Sequence, residues 1–352
     1  MGNSTMEAMV RGDDAWVGVS DCIPGECRGV DAGVAVWTST DGRTWSGNEL
    51  TADSGDRIAQ GLALGAGGYL LATEEVNRGF PRPTYRLWSS PDGRGWHAIG
   101  EIPRDGCSRK FCPSLWSLAL APSGTILAHA TDQLKDESFG PFASKDGVEW
   151  RVVKPGAFGI DELVVDSIQS TDAAVLLMGR SCWDCEPRLW TSTDGATWDS
   201  VDEVSVLPSS FPRLATGDGQ RVIVLNACPA AQPCGTEVWS SVDGGRWARR
   251  ISYPHVLGAE VTFAGSAFVA VGLDEGCRYA SGEDVCNRHI ELARYVVLAS
   301  PDGATWGEVP LDNTMNPWDE ECWPAWIAGA DETVVVGGYL DCIFWRGTVT
   351  VP

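Results

Sequence analysis

Thr38–Trp45 reads TSTDGRTW, and nearly the same octapeptide, TSTDGATW, returns at Thr191–Trp198. The shared core is S-x-D-G-x-x-W, and four more copies keep it: SPDGRGW at Ser90–Trp96, SKDGVEW at Ser144–Trp150, SVDGGRW at Ser241–Trp247 and SPDGATW at Ser300–Trp306. The aspartates Asp41, Asp92, Asp146, Asp194, Asp243 and Asp302 are spaced 51, 54, 48, 49 and 59 residues apart, the period of a propeller blade rather than of a helical repeat. An Asp-Gly pair between β-rich runs, as in VAVWTST-DG-RTW, predicts a hairpin. Glycine accepts the positive φ of the turn, and the aspartate side chain accepts bonds from nearby backbone amides. The tryptophan opens the outgoing strand and can cover the turn with its ring.

Upstream of each clip stands a second regular unit, two apolar strands joined by a Gly/Asp/Ser turn. EAMVRGDDAWVGVS (7–20) begins a series continued by GLALGAGGYLLATE (61–74), SLALAPSGTILAHA (117–130), DSIQSTDAAVLLMG (166–179), RLATGDGQRVIVLN (213–226), EVTFAGSAFVAVG (260–272) and AWIAGADETVVVGG (325–338). With strands named A to D, these are A–B hairpins and the clips join C to D; CIFWRGTV (342–349) is a seventh C strand with no clip after it. Seven A–B units predict an all-β, seven-bladed propeller of four-stranded antiparallel blades with the last blade incomplete; six blades plus an appended hairpin is the alternative. The chain reads as one propeller domain, with blades near 5–50, 56–103, 114–155, 161–206, 210–253, 257–312 and 322–352.

The six clips resemble the Asp-box, or bacterial neuraminidase repeat, of sialidases, sortilin-type receptors, photosystem II assembly factors and xyloglucanases, and the resemblance runs over essentially the whole chain. One departure is constant: the family box places a residue between Asp and Gly, whereas here the two are adjacent in all six copies. The resemblance implies a propeller of the sialidase/sortilin-like superfamily in which the box is a structural turn. The six clip aspartates are therefore read as structural, not catalytic.

Bulk properties narrow the partners. The chain of 352 residues carries 26 basic and 48 acidic side chains, a net charge of −22, which repels nucleic acid and anionic membrane surfaces. No stretch approaches the ~20 apolar residues of a membrane span. The expected location is extracellular or periplasmic, with no signal segment in this chain, and the expected state is a monomer. Twelve cysteines support an oxidising compartment: Cys22 and Cys27, Cys107 and Cys112, Cys182 and Cys185, Cys228 and Cys234, Cys277 and Cys286, then Cys322 and Cys342 read as disulfide staples. Four scattered histidines, His97, His129, His255 and His289, do not supply a zinc pattern. CWDC (182–185) has redox C-x-x-C spacing but lies in no βαβ pattern, so it is read as a staple.

Blade topology places A–B turns and C–D clips at one end of each sheet, with B–C loops and D–A links at the other. The cysteines all map to the second end, and so do aromatic residues that the repeat does not explain. The candidate ligand-binding residues are Trp183, Trp318, Trp323, Tyr85 and Tyr279, with Arg82 and Arg278, because rim rings stack on sugars or anchor a protein partner. Acidic residues gather there too, but no loop shows the spaced oxygen code of a calcium loop; no cofactor is assigned and calcium stays open. The leading reading is a non-catalytic propeller that binds a glycan or protein on its disulfide-stapled loop face. The alternative is a sialidase-like or other glycoside hydrolase, for which the resemblance implies an arginine set drawn from Arg28, Arg82, Arg278 and Arg288, with Tyr85 or Tyr279 and Glu283. An assembly or scaffold factor is the second alternative.

Overall fold

The computed structural model describes residues 6–12, 14–22, 33–41, 44–50, 57–65, 67–75, 85–102, 114–132, 137–170, 174–182, 185, 188–201, 213–217, 220–227, 235–242, 247–254, 256–264, 266–274, 294–309, 324–330, 333–338 and 345–348. Regular structure among them is β throughout, apart from a 3₁₀ turn at Pro155–Phe158. The chain divides into two compact units, Met1–Ser205 and Val206–Pro352.

The first unit holds four four-stranded sheets. Sheet one is β1 (Met6–Arg11), β2 (Trp16–Cys22), β3 (Gly33–Ser39) and β4 (Ser46–Glu49); sheet two is β5 (Arg57–Gly65), β6 (Gly68–Glu75), β7 (Tyr85–Ser90) and β8 (His97–Glu101). Sheet three is β9 (Ser114–Leu120), β10 (Ile126–Asp132), β11 (Glu137–Ser144) and β12 (Trp150–Val152); sheet four is β13 (Val164–Ser170), β14 (Val175–Arg180), β15 (Arg188–Ser192) and β16 (Asp199–Val201). The second unit holds sheet five, β17 (Arg213–Gly217), β18 (Gln220–Ala227), β19 (Gly235–Ser241) and β20 (Ala248–Pro254), and sheet six, β21 (Val256–Ala264), β22 (Ala267–Asp274), β23 (Arg294–Ser300) and β24 (Gly307–Val309). It ends in a three-stranded sheet of β25 (Pro324–Ala330), β26 (Thr333–Gly338) and β27 (Trp345–Thr348).

Every sheet keeps chain order, so each is a meander of antiparallel neighbours. Within each unit the first strands of successive sheets stand against one another, which makes the first strand the inner one and the fourth the outer one, as in a β-propeller. Burial follows that order. All seven residues of β3 are buried, whereas β4, β8 and β12 are largely exposed. Among the described residues the four-stranded blades number six, the alternative count, and the seventh A–B hairpin and C strand form a three-stranded sheet.

The cores lie between sheets because each sheet presents apolar residues on both faces. Between sheets three and four, for example, Leu127, Ile168, Leu177 and Trp190 pack with Phe158 of the 3₁₀ turn. Inner strands also share an irregularity near their loop end. Among the described pairs, six of the seven first strands carry one residue more than the second strand opposite, at Glu7, Gln60, Trp116, Asp166, within 258–259, and at Ala325. Such a bulge bends the strand and raises its twist where the sheets converge.

Candidate functional site

Among the described residues the clip carboxylates, Asp41, Asp92, Asp146, Asp194 and Asp302, are engaged in building the turn at one end of their blades. In sheet four, Asp194 Oδ1 accepts the amides of Ala196 and Thr197, both at 2.8 Å, and the Ser192 hydroxyl at 3.1 Å. Its Oδ2 accepts the Thr197 hydroxyl at 2.9 Å. Asp92, Asp146 and Asp302 repeat the two-amide pattern, and Asp41 accepts Thr44 N–H and Ser39 Oγ–H. These amide bonds, led by that of Thr197 at Asp194, hold the carboxyls below the ordinary range because they favour the charged form. The indoles of Trp96, Trp150 and Trp306 donate to the clip glycine carbonyl at 3.0–3.1 Å. Asp243 lies outside the described residues.

The clip glycine is needed twice over. Gly93, Gly147, Gly195 and Gly303 have φ of 74°, 76°, 69° and 65°, a region L side chains avoid. A Cβ there would also press on the preceding sheet: on Val17 from Gly93, on Ile99 and Leu87 from Gly147, on Thr125 and Leu127 from Gly195, and on Val222 from Gly303. Each of these clips is therefore a fastening between blades as well as a hairpin.

The loop ends are built differently. In sheet four, β14 and β15 pair up to Gly179 and Arg188, and between them Cys182 and Cys185 form a disulfide across a turn in which Cys185 N–H donates to the Cys182 carbonyl at 3.1 Å. Two residues before it, Arg180 grips the bulge residue Asp166 with Nε and Nη2, at 3.2 and 2.6 Å. In the second unit, Arg213 at the start of β17 donates from Nε to Glu260 of β21. Burial pushes the Glu260 carboxyl up to about 7, with Arg213 opposing the shift. Glu237 of β19, buried, accepts Trp239 Nε1–H and Arg249 Nη1–H at 3.1 and 2.9 Å. His129, on β10 in the first unit, is buried, and desolvation lowers its pKa to about 3, so the ring is neutral.

Several sequence-predicted residues meet these features. Tyr85 is not a rim residue: its ring is buried in the core between sheets two and three, and its hydroxyl accepts Leu115 N–H at 3.3 Å. It begins β7, and an inward position on the first residue of a buried C strand turns the ring to the core. Asp21, near the loop end of β2, is a structural pin whose Oδ1 accepts Ala59 N–H at 2.6 Å across to sheet two. Cys22 ends β2. Trp183, Trp318, Trp323, Tyr279, Arg82, Arg278, the hydrolase candidates Arg28, Arg288 and Glu283, and the cysteines other than Cys22, Cys182 and Cys185 lie outside the described residues. Among the described residues no three His, Cys, Asp or Glu side chains gather as a metal site, and no helix is long and apolar enough to cross a membrane.

The ion pairs and the burial of His129 were not legible in the sequence. Their partners are 14 and 47 residues apart in the two Arg pairs that clamp the inner strands. The signal that could have found them is a charged residue opening an A–B unit, as in D-S-I-Q-S, R-L-A-T and E-V-T-F.

No protein-family model matches the chain, and no curated protein matches it. Solved structures do. A GH74 xyloglucanase from Xanthomonas campestris superposes with a TM-score of 0.57 at 16% identity, over 98% of this chain and 52% of its own. Prolyl oligopeptidase B from Galerina marginata superposes with a TM-score of 0.54 at 13% identity, over 95% of this chain and 47% of its own. The chain thus spans about half the length of these two proteins, and the likeness at such identities is one of fold: an all-β propeller.

Proposed function

We propose that the protein is a non-catalytic propeller module that holds a glycan or protein ligand on its loop end. The observation that carries this reading is the contrast between the two ends of the blades. The clip end repeats one self-satisfied turn whose polar groups are consumed internally, as at Asp194. The loop end of sheet four instead carries a disulfide and a clamped Asp166–Arg180 pair, rigid supports of the kind that hold recognition loops. The other cysteine pairs expected on that end extend the same pattern. The strong net negative charge of −22 favours neutral glycans or basic protein surfaces over anionic ligands.

The test is binding to an immobilised panel of neutral and acidic polysaccharides. Retention of one neutral glycan, weakened about tenfold or more in both Trp183→Ala and Trp323→Ala variants, supports the aromatic-rim version. Unchanged binding in both variants sinks it. A glycoside hydrolase is the second reading, favoured by the Glu260 carboxyl, which burial raises toward neutrality against the pull of Arg213, the range a proton donor works in, and the xyloglucanase has a similar fold. Hydrolysis of xyloglucan or aryl glycosides that vanishes in Glu260→Gln would establish it, and a blank panel with the intact protein would remove it.

A further inference from the structure

We propose that the Cys182–Cys185 disulfide is a reversibly reducible site, opened and closed by exchange with an external dithiol without disturbing the blade that carries it. This goes beyond ligand binding and holds whether or not that loop touches a ligand.

The argument rests on what the disulfide does not have to hold. The entropic stabilisation from a disulfide grows with the logarithm of the loop it closes, and a ring closed between residues only 3 apart gives a small gain. The chain on either side is already brought together. β14 and β15 pair from Val175↔Ser192 up to Gly179↔Arg188, so the backbone ladder fixes both ends of the loop before any sulfur bonds. The incoming end is fixed again by Arg180, which binds Asp166 on the inner strand with two nitrogens. Breaking the sulfur bond therefore leaves that strand pairing and that ion pair in place.

The same geometry favours re-closure. The amide of Cys185 donates to the carbonyl of Cys182 at 3.1 Å, so the backbone turn keeps the two thiols facing each other after reduction. Both cysteines are half-buried rather than sealed in the core. In the exchange, a thiolate of the external dithiol attacks one sulfur, the Cys182–Cys185 bond breaks, and its electron pair leaves on the other sulfur, which takes a proton. The second thiol of the reagent, as thiolate, then displaces the mixed disulfide, and the freed cysteine takes the second proton. The external dithiol ends oxidised and the C-x-x-C pair ends as two thiols.

The test treats the intact chain with graded dithiothreitol, followed by quenching with iodoacetamide and peptide mass spectrometry of every cysteine, alongside circular dichroism. The expected result is that Cys182 and Cys185 are alkylated at least about tenfold faster than the other cysteines while the β-sheet signal is unchanged, and that oxidised glutathione restores the pair. A Cys182→Ser/Cys185→Ser variant is expected to melt within about 3 °C of the parent. Reduction that occurs only together with loss of β-sheet signal, or no faster than at the other cysteines, overturns the proposal. So does a pair that does not re-form, or a double variant that melts far below the parent.

Discussion

Blade four turns at one end through Ser192–Trp198 and at the other through the seven residues between Arg180 and Arg188, and the two turns share almost nothing. The first satisfies its polar groups from within: Asp194 takes two amides and two hydroxyls, at 2.8–3.1 Å. The second is held at its base by strand pairing, within the turn by a disulfide, and from beside it by an arginine that reaches to the inner strand. The first solution recurs in sheets one, two, three and six with nearly the same distances. The second recurs nowhere among the described residues. Where a fold has one way to make a turn it repeats it, and where the turn must also do something particular to one blade the repetition stops.

Several substitutions break or sharpen that contrast. The largest loss is expected between the two ends, at Trp190, which is 1% exposed, packs edge-on to Phe158 and donates to the Phe158 carbonyl. Trp190→Ala should cost about 3–5 kcal/mol in urea unfolding of the full chain, because a large buried ring leaves a cavity and an orphaned acceptor. A test of the buried histidine comes next. His129 has a folded-state pKa of about 3 against 6.5 for a free ring, so the unfolded chain takes the proton first. Its contribution is complete above pH 6.5 and falls by about 1.4 kcal/mol for each pH unit below that, down to pH 3. Glu260 runs the other way. Its carboxyl is raised from 4.5 to about 7, so its contribution is complete below pH 4.5 and is lost as pH rises through 7. Comparing parent with His129→Phe in urea at pH 7 and pH 5 isolates the first effect: the gap between the two proteins should shift in the variant's favour as the pH falls.

At the clip end, Gly195→Ala should cost about 2 kcal/mol, since an L residue is strained at φ 69° and the new methyl presses on Thr125 and Leu127 of sheet three. Asp194→Ala should cost about 1 kcal/mol, comparable to loss of a capping side chain, read as a lower urea midpoint. At the loop end, breaking the staple should cost least of all. If Asp194→Ala proved silent while the cysteine double variant unfolded, the division of labour between the two ends would be reversed.

Much of the architecture was legible because it is local. The Asp-Gly pair, the Ser two residues before it and the Trp four after it lie within seven residues, and their bonds span two or three residues. The A–B hairpins were legible for the same reason, and all seven are present. What depends on pairing across the chain was hidden. The bulges at Gln60 and Asp166 exist only relative to the strand opposite, and the Arg213–Glu260 pair joins two inner strands 47 residues apart. Tyr85 was misplaced because the same ring at the head of a strand suits a rim or a core, and only the register of β7 against β6, Tyr85 opposite Glu74, fixes where the strand begins. The second use of the clip glycine, room for the neighbouring sheet, is invisible in an isolated octapeptide.

That last feature has a consequence for how such chains lengthen. Gly93, Gly147, Gly195 and Gly303 each press their turn onto the sheet that precedes it in the chain. A duplicated stretch of about one period therefore arrives carrying its own attachment, pointing back toward whatever was translated before it. Each of these four blades is thereby keyed to its predecessor in the sequence by a residue with no side chain.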